Sequence, residues 1–330
     1  MSNRFIDSFD HYADVGLKYS DYSNATISLT AGRYGTAGVD MDVPGGSFLR
    51  VDLDNQNGYA VGLAYYRNAV ASGEDLIALY GDSSGSSRQV GLTVNPSGTL
   101  SVTSSGSIIL TTSKVIAPNS WYYVEFLASI GLSNSVYVYV NGNGWGSASG
   151  AVTQTLGYNT ASSIYLGGAG RPYLDDVYIN DTSGSINNSV WGDTRIEAVM
   201  PDGDGFWQQW DLSTGSQGWA LLDNNPYNAG QYLSSGSLGD KFTVLMADPV
   251  ASTGDMKSVQ FSYLASKNDI TTRETRHFIR LPSSSEYPDV TNTMTDSPVY
   301  YRTIWQNRPD NVAWNVTTLG ESQFGVEVIS

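Results

Sequence analysis

Short runs of apolar and aromatic residues alternate with polar residues along most of the chain, and clusters of Gly, Asn, Asp, Ser and Pro separate these runs. An alternation with a period of two predicts β-strands, and turn residues at about every tenth position are typical of a β-sandwich. No long run combines helical spacing of apolar positions with strong helix formers. The sequence therefore predicts an all-β protein.

Strands are predicted in both halves of the chain. In the first half they are Ala25–Thr30, Phe48–Leu53, Tyr59–Tyr66, Leu76–Tyr80, Gln89–Val94, Ser107–Leu110, Trp121–Ala128, Val136–Val140, Ser163–Leu166 and Asp176–Ile179. In the second half they are Thr194–Met200, Lys241–Ala247, Val259–Ala265, Arg276–Leu281, Val299–Trp305 and Phe324–Ile329.

The segment Val136–Val140, followed by Asn141 and Gly142, predicts one arm of a hairpin. Gly adopts positive φ without a steric penalty and Asn tolerates it, so the chain can reverse directly after the strand. Within the strand, Tyr137 and Tyr139 lie on the face opposite to the valines.

The polar stretch Asn180–Ser189 contains few core-forming residues and indicates a domain boundary. A chain of 330 residues is long enough for two sandwiches of about 150 to 180 residues each. We therefore predict two β-sandwich domains, residues 1–182 and 183–330, with the topology of the second left open. The tryptophans that predict a core for the second domain are Trp207, Trp210, Trp219, Trp305 and Trp314.

The chain is strongly acidic, with a net charge of −15 and only 17 Lys and Arg residues. This balance argues against a nucleic-acid partner, because phosphate binding depends on clustered cations. The absence of cysteine excludes disulfides and thiolate metal sites. No basic segment followed by an apolar run opens the chain, and no stretch approaches a membrane span. We expect synthesis in the cytoplasm without the usual export route, and no membrane insertion.

Three segments in a fixed order carry a first resemblance: Trp121–Phe126, Val136–Gly142, and Ile164–Gly168 followed by Leu174–Ile179. This order resembles the laminin-G-like and concanavalin-A-like pattern, in which a Trp opens one strand, a strand ending in Asn-Gly follows, and a Gly-Gly turn precedes a closing strand. The resemblance covers about residues 5–181. It implies that the first domain is a jelly roll.

A second resemblance spans both halves and rests on Phe5–Tyr12, Gly32–Thr36, Gly192–Glu197 and Pro201–Gly205. These segments resemble structural proteins of tailed bacteriophages. The resemblance implies a place on the virion, as a capsid decoration or a tail, baseplate or fibre subunit in contact with other virion proteins. It also implies a homo-oligomer, for which trimers are common among such appendages. The acidity favours the outer surface of a particle that holds DNA.

No constellation of residues predicts catalysis. His11 and His277 stand in no motif that would pair either with a nucleophile and an orienting acid. Asp52 and Asp54 have the period of two that would bring paired acids to one strand face, but they lack a third acid and a Glu to act as general acid. We therefore expect a non-enzymatic protein with no catalytic residue.

Two pairs of carboxylates are candidate calcium ligands: Asp175 with Asp176, and Asp202 with Asp204. Neither pair has the spaced ligands of a calcium-binding loop, and capping of turns by Asp is the alternative interpretation. No other cofactor is predicted.

The aromatic surplus offers candidate contact residues, namely Tyr137, Tyr139 and Trp145. Such side chains pack beneath a second sheet, bind a glycan or form a protein interface. Three functions follow for the chain. The first is a structural protein on the phage surface, acting by protein contacts and by attachment to the host. The second is a lectin-like carbohydrate-binding module with a host-surface glycan as partner, and the third is a glycan-active enzyme.

Overall fold

The computed structural model describes residues 2–41, 46–68, 73–155, 157–168, 171–224, 228–251 and 254–330. The chain divides into two compact units, Met1–Ile196 and Glu197–Ser330. Strands dominate both units. The predicted all-β class is confirmed, and so are the two sandwiches. Among the described residues, no helix has the length and apolar character needed to cross a membrane.

The first unit is a sandwich of two antiparallel sheets. Its strands are β1 (Asn3–Asp7), β2 (Asp21–Ser23), β3 (Thr26–Ser28), β4 (Gly38–Asp40), β5 (Phe48–Gln56), β6 (Gly58–Tyr66), β7 (Glu74–Tyr80), β8 (Arg88–Val94), β9 (Thr99–Ser104), β10 (Ser107–Val115), β11 (Trp121–Ser129), β12 (Asn134–Val140), β13 (Asn143–Ala151), β14 (Ala161–Gly167) and β15 (Tyr173–Asp181). The eight-stranded sheet has the order β13-β12-β11-β6-β15-β4-β3, with β1 also paired to β15. The seven-stranded sheet has the order β10-β9-β8-β7-β14-β5-β2.

Side-chain alternation builds the core between these sheets. Val124 and Phe126 of β11 lie directly opposite Val140 and Val138 of β12, and all four are buried. Directly opposite residues of an antiparallel pair share a face. The predicted hairpin is confirmed, because Asn141 and Gly142 between β12 and β13 both have positive φ, at 49° and 71°.

The second unit is a smaller sandwich. Its strands are β16 (Pro201–Gln208), β17 (Asp211–Leu212), β18 (Leu233–Ser234), β19 (Lys241–Met246), β20 (Val259–Ala265), β21 (Glu274–Arg280), β22 (Glu286–Thr293), β23 (Val299–Trp305) and β24 (Gln323–Val328). A five-stranded sheet has the order β16-β19-β24-β21-β22, while β20 pairs with β23 and β17 with β18. Trp305, Trp314 and Phe324 lie in the core cluster of this unit, and Phe261 of β20 packs against it.

A helical turn that the strand pattern does not predict, α1 (Val316–Gly320), closes one side of this core. Asn315 caps it, because its side chain accepts from the Thr318 backbone N–H while the Thr318 hydroxyl accepts from the Asn315 N–H. Five residues are too few to show helical spacing in the sequence, so only the capping pair marks the turn.

The strand predicted over Thr194–Met200 is wrong, because these residues join no sheet. The chain divides between Ile196 and Glu197, whereas the polar stretch indicated a boundary after Thr182. Backbone N–H groups of Trp191 and Ile196 donate to side-chain carboxylates of the first unit. Tertiary contacts therefore hold this segment to the first unit in place of sheet pairing.

Candidate functional site

The candidate site lies on the outer face of the eight-stranded sheet, which is the side turned away from the core. On β6 this face carries only small residues along its middle: Gly62 opposite Glu125 of β11, and Ala64 opposite Tyr123. On the other side of β6, Tyr178 of β15 lies opposite Gly62. Larger side chains of the neighbouring strands cover these small residues: Tyr178 packs over Gly62, and Ala64 is buried with Tyr123 and Tyr178.

Three aromatic residues cross this face in one line, and we call them the aromatic row. Trp121 of β11 lies directly opposite Tyr66 of β6, and Tyr66 lies directly opposite Tyr173 of β15. The ring centroids of Trp121 and Tyr66 are 5.4 Å apart, and those of Tyr66 and Tyr173 are 5.8 Å apart. All three rings are half-buried. Asp40 of β4 lies opposite Tyr173, so a carboxylate continues the line.

Beside the row, Tyr178 lies flat on the sheet over Gly62, where a Cβ would overlap its ring. The Tyr178 hydroxyl donates to Glu125 Oε1 at 2.5 Å, and this carboxylate also accepts from the Trp191 and Gly192 backbone N–H groups at 2.9 and 2.8 Å. Burial raises the pKa of Glu125 above its usual range, although these three hydrogen bonds act to lower it.

Residues Ser189–Ile196, which we call the covering segment, lie over this part of the face. Trp191 stacks on Tyr178 with ring centroids 4.3 Å apart and planes inclined by 25°. At the ends of the segment, Asn180 Nδ2 donates to the Ser189 carbonyl at 2.8 Å and the Ile196 N–H donates to Asp176 Oδ1 at 2.7 Å. An aromatic stack and these hydrogen bonds hold the middle and the ends of the segment, and Ile196 packs with Trp191 against the same buried cluster.

Asp175 and Asp176 are buried where β15 is irregular between Asp175 and Tyr178, and Asp176 adopts a positive φ of 51°. Asp175 accepts at 2.8 Å from the backbone N–H groups of Asp176 and Arg33. Burial, together with the neighbouring Asp176, raises the pKa of Asp175 to about 8. Burial also raises the pKa of Asp176 to about 7, against the lowering effects of the Ile196 hydrogen bond and of Arg33.

Two segments that stand apart in the sequence, Gly32–Thr36 and Gly192–Glu197, contact each other here. Arg33 Nη1 lies 2.6 Å from Asp193 Oδ1 and donates to the Thr194 carbonyl at 3.4 Å. The Arg195 guanidinium lies over the Tyr34 ring at 4.5 Å. Arg33 and Tyr34 therefore anchor the covering segment to the first unit.

The predicted contact residues divide between two places. Tyr137 and Tyr139 of β12 lie opposite Leu127 and Glu125, on the outer face. Tyr137 is exposed and Tyr139 is half-buried. Trp145 does not join them, because it falls where the β12–β13 register shifts, and the Lys114 ammonium lies 5.7 Å from the centre of its ring.

The carboxylates predicted as calcium ligands have other partners in the structure. Both oxygens of Asp175 accept backbone hydrogen bonds. On β16, Asp204 Oδ1 accepts from the Trp219 N–H at 2.9 Å, and Asp202 is exposed. Among the described residues, no three His, Cys, Asp or Glu side chains converge as metal ligands.

The two histidines lie in different units; His277 is fully buried and His11 is half-buried. Burial lowers the pKa of His11 to about 3 and that of His277 to about 4. His277 packs between the rings of Phe261 and Tyr263, and its Nδ1 lies 3.0 Å from Asn292 Nδ2. On β5, Asp52 accepts from the Ser163 hydroxyl at 2.7 Å.

No pattern in the sequence predicts the aromatic row. Its members come from three strands that are distant in sequence, and only the register of β11, β6 and β15 brings them into line. Trp121 was noted as the first residue of a strand. No local pattern marks Tyr66 or Tyr173 as its neighbours.

No protein-family model and no curated protein matches the chain. Domain 4 of AbnA, a GH43 extracellular arabinanase from Geobacillus stearothermophilus solved with arabinotriose, aligns with 55% of this chain and 94% of its own, at 19% identity and a TM-score of 0.39. The binding domain of Paraclostridial Mosquitocidal Protein 1 aligns over 54% of this chain and 48% of its own, at 14% identity and a TM-score of 0.39. A Trypanosoma rangeli sialidase aligns over 47% of this chain and 26% of its own, at 14% identity and a TM-score of 0.37. This chain thus spans about a quarter of the sialidase and about half of the mosquitocidal domain. Likenesses this distant do not assign a function.

Proposed function

We propose that the first unit binds a neutral carbohydrate on the outer face of its eight-stranded sheet. The observation that carries this proposal is the aromatic row, three half-buried rings in register across three neighbouring strands. Sugar rings have apolar C–H faces that pack on aromatic rings, while their hydroxyls bond to polar groups at the rim. Asp40, next to Tyr173, offers such an acceptor.

The charge of the chain favours a neutral sugar over an acidic one. The net charge is −15, and Asp40 and Asp193 are carboxylates on or beside this face. The nearby cation Arg33 already pairs with Asp193. A polymer of uronic or sialic acids would approach against this negative field.

An array of immobilised oligosaccharides tests the proposal. We expect the chain to bind at least one neutral family, such as cello-, xylo-, manno- or arabino-oligosaccharides, and not alginate or sialylated glycans. The double variant Trp121→Ala/Tyr173→Ala should lose this signal. Absence of binding across the array, or binding that the double variant retains, would contradict the proposal.

A structural role on the outer surface of a tailed-phage particle is the second candidate. It is supported by the sequence resemblance, whose segments Gly32–Thr36 and Gly192–Glu197 contact each other in the fold. Repetition of one subunit on a particle would multiply weak sugar contacts into avid attachment to a host surface, so the two functions are compatible. Electron microscopy of purified particles should show density that fits this chain, and native mass spectrometry should show a homo-oligomer such as a trimer. Particles without such density would remove this candidate.

A further inference from the structure

We propose that the surface beneath the covering segment is a second saccharide subsite, in which Trp191 occupies the place of a sugar ring. The inference rests on the proposed function, since it extends the binding face from the aromatic row to its neighbours on the same sheet. Its core is Tyr178, Glu125 and Asp176.

Tyr178 is arranged as a platform. Its ring lies flat over Gly62, so one face of the ring rests on the sheet and the other points outward. The Trp191 indole stacks on that outward face at 4.3 Å. A sugar ring stacks on an aromatic side chain in the same parallel manner, through its C–H face.

The carboxylates beneath the segment accept from donors that sugar hydroxyls can replace. Glu125 Oε1 accepts from the N–H groups of Trp191 and Gly192, and Asp176 Oδ1 accepts from the N–H of Ile196. These donors are backbone groups of the covering segment, which makes no sheet pairing. A bound saccharide would exchange them for hydroxyl donors and leave the sheet itself unchanged.

Where the covering segment packs on the sheet, some buried polar atoms lack a hydrogen-bond partner. Glu125 Oε2 and Trp191 Nε1 are buried and have no hydrogen-bond partner among the described residues, and buried Asp176 Oδ2 has only the Arg33 guanidinium, with Nη1 at 3.9 Å. An unsatisfied buried polar group is costly. Sugar hydroxyls both donate and accept, so a saccharide could satisfy the two carboxylate oxygens, while release of Trp191 would expose its N–H to water.

The subsite is continuous with the aromatic row. Trp121 of the row and Trp191 of the covering segment pack against the same buried cluster of Ala64, Tyr123 and Tyr178. A chain of sugars seated on the row would therefore reach the edge of the covering segment. Short oligosaccharides would use the row alone, and longer ones would compete with Trp191.

The test measures the affinity of cello-, xylo-, manno- and arabino-oligosaccharides, from disaccharide to hexasaccharide, for the full chain and for Trp191→Ala. We expect Trp191→Ala to bind the hexasaccharide of the preferred series about tenfold more tightly and the disaccharide unchanged. The double variant Trp191→Ala/Glu125→Gln should lose the tenfold gain in hexasaccharide affinity. Trp210→Ala, a half-buried Trp of the second unit, is the matched control and should change neither affinity.

Hydrogen exchange on the unaltered chain gives a second measurement that does not depend on how the variant folds. Saturating hexasaccharide should speed amide exchange at Gly192 and Ile196 and slow it in β6 and β11. Exchange that is unchanged or slowed at Gly192 and Ile196 would overturn the inference, as would equal hexasaccharide affinities of a folded Trp191→Ala and the parent. Either result, with binding that still depends on Trp121, leaves the proposed function standing. Absence of binding to every probe overturns the proposed function itself.

Discussion

The indole of Trp121 lies 5.4 Å from the ring of Tyr66, directly across the β11–β6 pair, and Tyr173 extends the line on β15. Adjacent strands are spaced by roughly 4.7–4.9 Å, so one residue from each of three strands builds an apolar strip about 10 Å long. The strands already hold the three rings in place. Little side-chain conformational entropy is therefore lost when a flat ligand packs on them.

Tyr137 and Trp145 should respond differently to substitution, although they lie close together in sequence. We expect Tyr137→Ala to weaken glycan binding by about two- to fivefold, because Tyr137 is exposed on the outer face two strands from β6. Trp145→Ala should leave binding unchanged, since this ring contacts Lys114 instead. Calorimetric titration of both variants checks this, and a larger effect from Trp145→Ala would argue for a different binding surface.

Gly62 should not tolerate even a methyl group. In Gly62→Ala the new Cβ would overlap the Tyr178 ring, which must lift and carry Trp191 with it. We expect a loss of about 1–3 kcal/mol in the free energy of unfolding, as for other overpacked sites. Gly144→Ala on the same sheet is the control, because its Cβ meets nothing closer than 3.9 Å. Equal stability of both variants in urea would show that Tyr178 does not lie on Gly62.

Asp175 and Asp176 should contribute a stability to the first unit that falls as the pH rises from about 4 to about 8, while His11, whose pKa is lowered to about 3, contributes in the opposite direction below pH about 6.5. The pKa of Asp176 is raised from 3.8 to about 7 and that of Asp175 from 3.8 to about 8. The folded unit therefore keeps protons that the unfolded chain releases above pH about 4, and this stabilisation is lost as the pH passes through the raised values. The shift of Asp176 alone corresponds to at most about 4 kcal/mol.

The variant Asp176→Asn isolates this effect. Its amide oxygen can still accept from the Ile196 N–H, while the titrating group is removed. The free energy of unfolding of the first unit is measured at pH 5 and pH 7.5, from urea unfolding and from the protection of β15 amides corrected for the intrinsic exchange rate. The change from pH 5 to pH 7.5 should be less destabilising in the variant than in the parent. An unchanged dependence would mean that Asp176 is ionised throughout this range.

The second unit should respond to pH in the opposite direction. Burial lowers the pKa of His277 from 6.5 to about 4, so the unfolded chain takes up a proton that the folded unit rejects. Its contribution is complete above pH about 6.5 and is lost as the pH falls towards 4, by up to roughly 3 kcal/mol. Amides of β24 should be less protected against hydrogen exchange at pH 5 than at pH 7, once each rate is divided by its intrinsic rate at that pH. In His277→Gln this difference should shrink, and a full difference in the variant would assign the effect to another group.

The local pattern predicted most of the strands and the Asn141–Gly142 hairpin, because period-two alternation and turn residues act over a few positions. It was wrong for Thr194–Met200, where the apolar residues predicted a strand but the segment joins no sheet. The N–H of Ile196 instead finds Asp176, a partner distant in sequence. The aromatic row was missed for the same reason, since strand register joins Tyr66, Trp121 and Tyr173.

The most direct test of the central claim is calorimetric titration of the neutral oligosaccharide that binds best on the array. Trp121→Ala and Tyr173→Ala should each lower the affinity by about tenfold to a hundredfold, in line with the ~1.5–3 kcal/mol gained when a large apolar side chain is covered. Tyr165→Ala is the control, because this half-buried ring packs against Tyr80 on the seven-stranded sheet at 4.4 Å. Unchanged affinity in both row variants, or a loss confined to Tyr165→Ala, would contradict the account.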